Sequence, residues 1–451
     1  MNHSTSLPPD VSQFVEDQPD AGVFRVRHDA FRDPALFELE MSRIFEATWL
    51  FVGLESELPK PHDFITTQLG RVPIIVTRDG AGQLRGFRNS CRHRGNLVCP
   101  FQRGHQRTHV CRYHGWAYDS GGRNLTITGQ EHGQYPAGFA AADHNLVPLG
   151  RLEAYRGFVF ASLVPDVPPL REQLGDARIF LDMVADQAPL GLEYIPGQVA
   201  YTFDANWKYQ FENGLDYYHF ASTHSAFVQI LRGRPPNEVP AGAIADLVDR
   251  EPEAQGTFSF PYGHAVTWSV GIAGQGPERR PLPRDPALLA EVRERVGATR
   301  LKWMLRQRNL TVFPNLQIVD IQSLQLRFWQ PLAVDRTRMV SHCLAPIGEA
   351  AEARRFRIRQ YEEFFNPSGL ATPDDNVMYE LSQRGYAAQA APSQGYLRGL
   401  GPRPDGQRNF AAEIGLADYA WTYGTREFGD ETCLHAGYRE WRRLLTQATK
   451  T

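Results

Sequence analysis

The sequence predicts an α+β protein made of a small antiparallel β domain and a larger α+β domain, the latter an antiparallel sheet flanked by helices. Three observations carry that expectation. The chain has 451 residues, enough for two or three separate cores. Between 51 and 164, short β-rich runs such as RVPIIVTRD (71–79), THVCRYH (108–114) and GFVFASLV (157–164) alternate with Gly, Pro and Asp turns. From 165 onward, strand and helix periods are mixed. The expected divisions are an N-terminal segment and helix over 1–50, the β domain over 51–164 and the larger domain over 165–451.

The elements follow in order. Residues 1–20 are polar and acidic and read as disordered. In 34–49, Leu36, Phe37, Met41, Ile44 and Phe45 recur at helical spacing, with Asp33 as a start signal. The segment 170–188 reads as a helix, 199–224 begins as a strand and turns helical, and 309–332 alternates as strands do. Residues 350–365 form a charged helix. The stretch 251–285 is rich in Gly and Pro and reads as a long loop over a pocket, and 382–403 reads as loop.

Composition narrows the function classes. A net charge of −3 offers no general attraction to nucleic acid or anionic membranes. No run approaches the roughly 18 apolar residues of a spanning helix, and the first twenty residues lack the layout of a signal peptide. The default location is therefore the cytoplasm. Five cysteines, an odd number, argue against a disulfide framework. Three of them, Cys91, Cys99 and Cys111, lie within 21 residues, a cluster that in a reducing compartment suggests metal.

The strongest motif is Cys91-Arg92-His93, then 17 residues, then Cys111-Arg112-Tyr113-His114. Each tight loop offers one thiolate and one imidazole. Gly95 and Gly115 follow, letting backbone N–H groups approach sulfur. Spacing alone admits zinc, but zinc fingers usually pair Cys with Cys and His with His. The mixed loops suit a Rieske [2Fe–2S] centre, with both thiolates on one iron and both imidazoles on the other. Cys99 reads as a small buried residue. His105 and His109 fall outside the spacing and read as surface residues.

A second constellation lies in NWKYQFENGLDYYHFASTH (206–224). Glu212, Asp216 and His219 share one helical face, interleaved with aromatics that suggest burial. His219 and His224 would point about 140° apart on a regular helix, so they converge only if the helix distorts or ends between them. Two histidines and a carboxylate form the facial triad of non-haem Fe(II) oxygenases. The best candidate for the acid is the pair Asp374-Asp375, which opens a helix; capping and first-turn charge would explain Asp374 equally well.

With both motifs quoted, the chain resembles the large (alpha) subunit of Rieske aromatic-ring-hydroxylating oxygenases. Further likeness lies in FELEMSRIFEATWLFVG (37–53), NLTVFPNL (309–316) and RIRQYEEFFNPSGLATPDD (357–375). The last stretch is most similar to the benzoate, toluate, halobenzoate and anthranilate dioxygenase branch. The resemblance implies that Cys91, His93, Cys111 and His114 ligate the cluster, and that His219, His224 and Asp375 ligate the catalytic Fe(II). It implies that Asp216 bridges His114 of a neighbouring subunit to His219, and that Asn206 and Asn213 line the iron site. It further implies O2 and an aromatic, carboxylated substrate, a reductase or ferredoxin as electron donor, a large-subunit trimer and a small beta subunit. The stretch after His224, SAFVQILRGRPP (225–236), departs from the benzoate branch and should shape the pocket. Arg232, Arg234 and Arg327 are candidates for binding a carboxylate. Two other readings share some of these features: a salicylate-type monohydroxylase on the same scaffold, and a Rieske electron carrier, which would leave the C-terminal two thirds unexplained.

Overall fold

The computed structural model describes residues 10–233, 254–271, 276–388, 392–401, 410–416 and 429–447. Contacts divide the chain into two units, one formed by 41–170 and the other by 1–40 together with 171–451. Among the described residues no helix is long and apolar enough to cross a membrane.

The 41–170 unit is built from short antiparallel strands. Leu84–Arg88, Val72–Arg78, Asp63–Leu69 and Arg103–His105 form a four-stranded sheet in that order. Two three-stranded sheets accompany it. One joins Asn124–Thr126, Ala117–Asp119 and Thr108–Val110; the other joins Arg151–Tyr155, Phe158–Ser162 and Leu50–Leu54. Cys91, Cys99, Cys111, Trp116 and Tyr118 share one buried cluster with Phe64, Ile75 and Phe87. His105 is exposed, as expected. His109 is not: it is only 2 % exposed, with its ring edge against Phe64, because its strand turns it inward beside Tyr118.

The other unit is organised by an eight-stranded antiparallel sheet. Its long central strands, Gln307–Val312, Leu316–Asp320, Leu324–Ala333 and Arg336–Pro346, are buried on both faces for most of their length. The alternation in the sequence therefore separates an apolar face from a buried polar one. Register puts Thr311, Gln317, Arg327 and Ser341 in one row across four strands. The stretch 251–285 is not one long loop: Gln255–Ser259 is an edge strand of this sheet and Ala265–Ser269 is the strand next to it. Their side chains are buried on both faces, so the period-2 signal vanished.

The N-terminal residues also depart from expectation. Residues 1–9 lie outside the described residues, but Val15–Gln18 pairs with Val23–Arg27, which pairs with Ser393–Gly395. The strand is short and charged, so its sequence shows no apolar pattern. The segment 34–49 is helical over Pro34–Glu40 and widens to a π-turn over Met41–Phe45. Asp33 caps it by accepting the N–H of Ala35 at 2.8 Å. The helix Thr372–Gly385 runs past Ser382, so the start of the expected 382–403 loop is helical.

Glu40 ties this first helix to the site. Its carboxylate meets the ammonium of Lys208 and accepts the indole N–H of Trp207 at 2.9 Å and of Trp441 at 2.7 Å, all with the pair completely buried. Buried charges need that degree of satisfaction. The network fixes the helix Trp207–Asn213 from behind. Asn206 caps the same helix, accepting from Lys208 N at 3.0 Å and donating to Val334 O at 2.7 Å.

Candidate metal centres

The helix Trp207–Asn213 ends at Gly214, which packs so closely on the sheet that a Cβ there would fall 1.5 Å from Nε2 of Gln317. Asp216 then caps a short 3-10 turn, Tyr217–His219, by accepting the N–H of Tyr218 at 2.8 Å. A brief helix, Phe220–Thr223, stops at His224 with φ −103° and ψ 33°, and a new one runs over Ser225–Arg232. These two breaks resolve the 140° problem. The rings of His219 and His224 converge, with centroids 5.3 Å apart.

Asp375, in the first turn of Thr372–Gly385, completes the group. Its Oδ1 lies 3.1 Å from Nε2 of His224 and 3.4 Å from Nε2 of His219. Asn213 donates to the same oxygen at 3.0 Å. Among the described residues, His219, His224 and Asp375 form the one group of three metal-capable donors within 4.8 Å of each other. Burial would raise the Asp375 carboxyl, but the two imidazoles outweigh it and hold it well below the ordinary carboxylate range. Burial likewise opposes charge on His219, yet the carboxylates of Asp216 and Asp375 lift its ring to about 10. The trio thus demands positive charge at its centre, which a divalent cation satisfies by displacing protons. Two neutral nitrogens and one hard oxygen suit Fe(II) with positions left open.

Carboxylates also stand on the far side of both rings. Asp216 Oδ2 is 3.6 Å from Nδ1 of His219, and Asp374 Oδ2 is 3.5 Å from Nδ1 of His224. Metal-bound imidazoles commonly face such a partner, which fixes the tautomer. Two expected residues sit elsewhere. Glu212 turns away from the trio and accepts from the hydroxyls of Tyr396 and Tyr438. Burial, incompletely offset by those hydroxyls, pushes it up to about 7. Asn206 is spent on its helix cap rather than on the pocket.

The trio lines a cavity. Phe220, Phe227, Phe364 and Phe365 supply aromatic walls, with the rings of Phe227 and Phe364 tilted against one another at 4.2 Å. Gln307, Asn309, Gln322 and Arg327 supply a polar side. Phe227 belongs to 225–236, the stretch expected to shape the pocket. Arg327 is 4 % exposed, and its Nη2 donates to Thr372 Oγ1 at 3.0 Å. Arg232 is exposed, and Arg234 lies outside the described residues.

The Cys–His loops of the 41–170 unit are built alike. Cys91 N donates to Asn96 O and Cys111 N to Trp116 O, both at 2.8 Å. Gly95 N returns to Cys91 O and Gly115 N to Cys111 O, both at 2.9 Å. Closing each turn requires φ of 73° and 77°, which glycine supplies without strain. Both thiols are buried, and the rings of His93 and His114 lie 4.4 Å apart, His93 also stacking on Trp116 at 5.0 Å. Nδ1 of His93 is buried and has no hydrogen-bond partner, so it is available for a metal. One thiolate pair and one imidazole pair make the donor set of a Rieske two-iron cluster.

Comparison with known proteins agrees with both centres. Residues 194–445 match the model of the ring hydroxylating alpha subunit (catalytic domain), and residues 48–138 match that of the Rieske [2Fe-2S] domain. The chain is 37% identical over 443 residues to toluate 1,2-dioxygenase subunit alpha of Pseudomonas putida, covering 98% of this chain and 95% of that one. It is also 37% identical to the anthranilate 1,2-dioxygenase large subunit of Acinetobacter baylyi, covering 96% and 91%. Among solved structures, naphthalene 1,2-dioxygenase from Rhodococcus sp. bound to indole matches with a TM-score of 0.77 at 25% identity, covering 94% and 95%. The chain therefore belongs to the ring-hydroxylating alpha subunits of the Rieske non-haem iron oxygenases, enzymes that use a [2Fe–2S] cluster and a mononuclear Fe(II).

Proposed function

We propose that this chain is the large subunit of a dioxygenase that hydroxylates an aromatic carboxylic acid. The observation that carries this reading is the trio His219, His224 and Asp375 lining a phenylalanine-walled cavity that Arg327, a buried residue, also lines. In this reading Cys91 and Cys111 hold one iron of the cluster, His93 and His114 the other, and the trio holds Fe(II). Held there, Fe(II) would supply the chemistry of O2 binding and activation, and a cluster held by the two Cys–His loops would supply the electrons.

The protein's own residues do the rest. Phe227, Phe364 and their neighbours bind the ring flat and keep water from the reacting carbons. Arg327 donates to a neutral hydroxyl, its Nε has no hydrogen-bond partner among the described residues, and buried guanidinium groups favour an anion; it receives the substrate carboxylate. Asp216 keeps one lone-pair direction toward His219 Nδ1 and has 31% of its side chain exposed. That leaves it able to accept the N–H of a cluster histidine from a neighbouring subunit. The assembly in this reading is a trimer of large subunits joined by small beta subunits, with a reductase or ferredoxin supplying electrons. The relatives are named for toluate, anthranilate and 2-halobenzoate, all aromatic acids.

The deciding experiment is turnover of benzoate-type acids with 18O2, the purified chain being supplied with an electron donor. A cis-diol carrying two labelled oxygens supports the reading. One labelled oxygen points instead to a monohydroxylase. Turnover of uncharged arenes with rejection of every acid overturns the substrate class.

A further inference from the structure

Five tyrosines form a connected path that starts one helical turn from Asp375 and that the oxygenase reading does not use. Tyr379 follows Asp375 by four residues on the helix Thr372–Gly385, so the two side chains share a face. Its ring stacks on that of Tyr209 at 6.0 Å, and Tyr209 lies 6.0 Å from the ring of Tyr386. The hydroxyl of Tyr386 donates to Oε1 of Gln394, whose Nε2 donates in turn to the hydroxyl oxygen of Tyr396. The rings of Tyr396 and Tyr438 are 5.3 Å apart, and both hydroxyls donate to one oxygen of Glu212. Four of the five are buried; Tyr386 is half-buried.

Packing alone does not account for the path. The Tyr379 hydroxyl is buried with no hydrogen-bond partner among the described residues, where phenylalanine would fill the space without stranding a polar group. A phenol differs from a phenyl ring in giving up an electron readily, provided that its proton has a base to go to. Tyr386 faces only a neutral amide. Tyr396 and Tyr438 face a carboxylate, and burial lifts Glu212 to about 7, so that it takes up a proton near neutral pH.

We propose that these tyrosines carry oxidising equivalents away from the trio when O2 is activated there and no hydroxylation follows. One electron passes from Tyr379 to the oxidant at the trio, which is thereby reduced by one electron. The hole crosses the stacked rings and comes to rest at Tyr396 or Tyr438. There the O–H proton passes to Glu212, leaving a neutral phenoxyl and a carboxylic acid. A thiolate in solution returns an electron through the half-buried Tyr386 and becomes a thiyl radical, and Glu212 gives the proton back. The path spares the phenylalanine walls of the cavity, which an undrained oxidant attacks. None of the five tyrosines lines that cavity.

The inference rests on iron at the trio, which the metal content of Asp375→Ala tests without reference to any radical. The path itself is tested on the iron-loaded oxygenase supplied with an electron donor, O2 and pentafluorobenzoate, whose blocked ring carbons force abortive turnover. Rapid-freeze EPR is expected to show an organic radical whose lines narrow when the protein is made with ring-deuterated tyrosine. Tyr209→Phe cuts the path behind Tyr379. Its radical yield is expected to fall about tenfold, as one raised barrier produces, and the enzyme to inactivate in fewer turnovers. Iron content and hydroxylation of an accepted acid stay at the wild-type level. No radical in the wild type, or one that ring deuteration leaves unchanged, overturns the proposal. So does an undiminished radical yield in Tyr209→Phe. If that variant fails to fold, Tyr379→Phe, which removes only the unpartnered hydroxyl, takes its place with the same expected and overturning results.

Discussion

Oδ1 of Asp375 lies 3.1 Å from Nε2 of His224 and 3.4 Å from Nε2 of His219, although the acid comes from a different helix in the chain. One oxygen thus faces two nitrogens, the arrangement a single cation satisfies. Asp375→Ala is expected to lower Fe(II) affinity by more than about 100-fold, beyond the 10–100-fold typical of outer partners. The two cluster irons and the visible spectrum should stay. Metal analysis of anaerobically reconstituted protein checks this. Three irons per chain in the variant would move the ligand to Asp374 or elsewhere.

Asp216 sits one step out from the same site, with Oδ2 3.6 Å from Nδ1 of His219. Asparagine keeps the size and one acceptor but loses the charge that holds two N–H groups. Asp216→Asn should load both metal centres and reduce turnover by at least about 100-fold, the upper end of what an outer partner supplies. Stopped-flow reduction of the cluster should remain normal while its reoxidation in the presence of substrate and O2 stalls. Reoxidation at the wild-type rate would remove Asp216 from the electron path.

The sequence made the Cys–His loops legible because each is local: four donors, two glycines and a shared turn geometry lie within a short stretch. The trio was legible by a different route. The spacing of His219 and His224 argued against convergence on a regular helix, and the 3-10 turn that ends at His219 and the helix stop at His224 bring the rings together. The irregular stretch begins at Gly214, which packs against Gln317, a tertiary contact that no local pattern carries. The two strands within 251–285 were hidden for a related reason. A strand buried on both faces has no polar alternation, and Pro and Gly at its turn resemble a loop. His109 was misjudged because polarity was read as exposure, whereas its strand turns it inward onto Phe64.

The Glu40–Lys208 pair yields a stability prediction. The indoles of Trp207 and Trp441 donate to different oxygens of Glu40, so glutamine at 40 keeps an acceptor for one of them, and it removes the negative charge beside a fully buried ammonium. Breaking a buried pair from one side costs about 3–5 kcal/mol. Glu40→Gln is therefore expected to lower the urea stability of the catalytic unit by that order, with the cluster domain's spectrum preserved below the transition. A change under about 0.5 kcal/mol, as for a surface substitution, would show that the pair contributes no net stability.

His264 gives the clearest pH dependence. It is completely buried, its Nε2–H donates to Gln173 O at 2.9 Å, and its Nδ1 accepts the N–H of Phe313 at 3.0 Å. Both nitrogens are therefore committed in the neutral ring, and a second proton would set Nδ1–H against N–H. Burial, only partly opposed by the Gln173 carbonyl, lowers its pKa to about 4 from the ordinary 6.5. The folded value lies below the unfolded one, so the unfolded chain takes up the proton first as pH falls. The stabilising contribution is complete above about 6.5 and is lost as pH falls through 4. At 1.36 kcal/mol per pH unit, it accounts for about 2 kcal/mol of the stability lost between pH 7 and pH 5. Glutamine can keep both hydrogen bonds without titrating. His264→Gln should start near or below the wild type at pH 7 and lose about 2 kcal/mol less on going to pH 5. Parallel denaturation curves at the two pH values for wild type and variant would show that His264 already carries its second proton in the folded state.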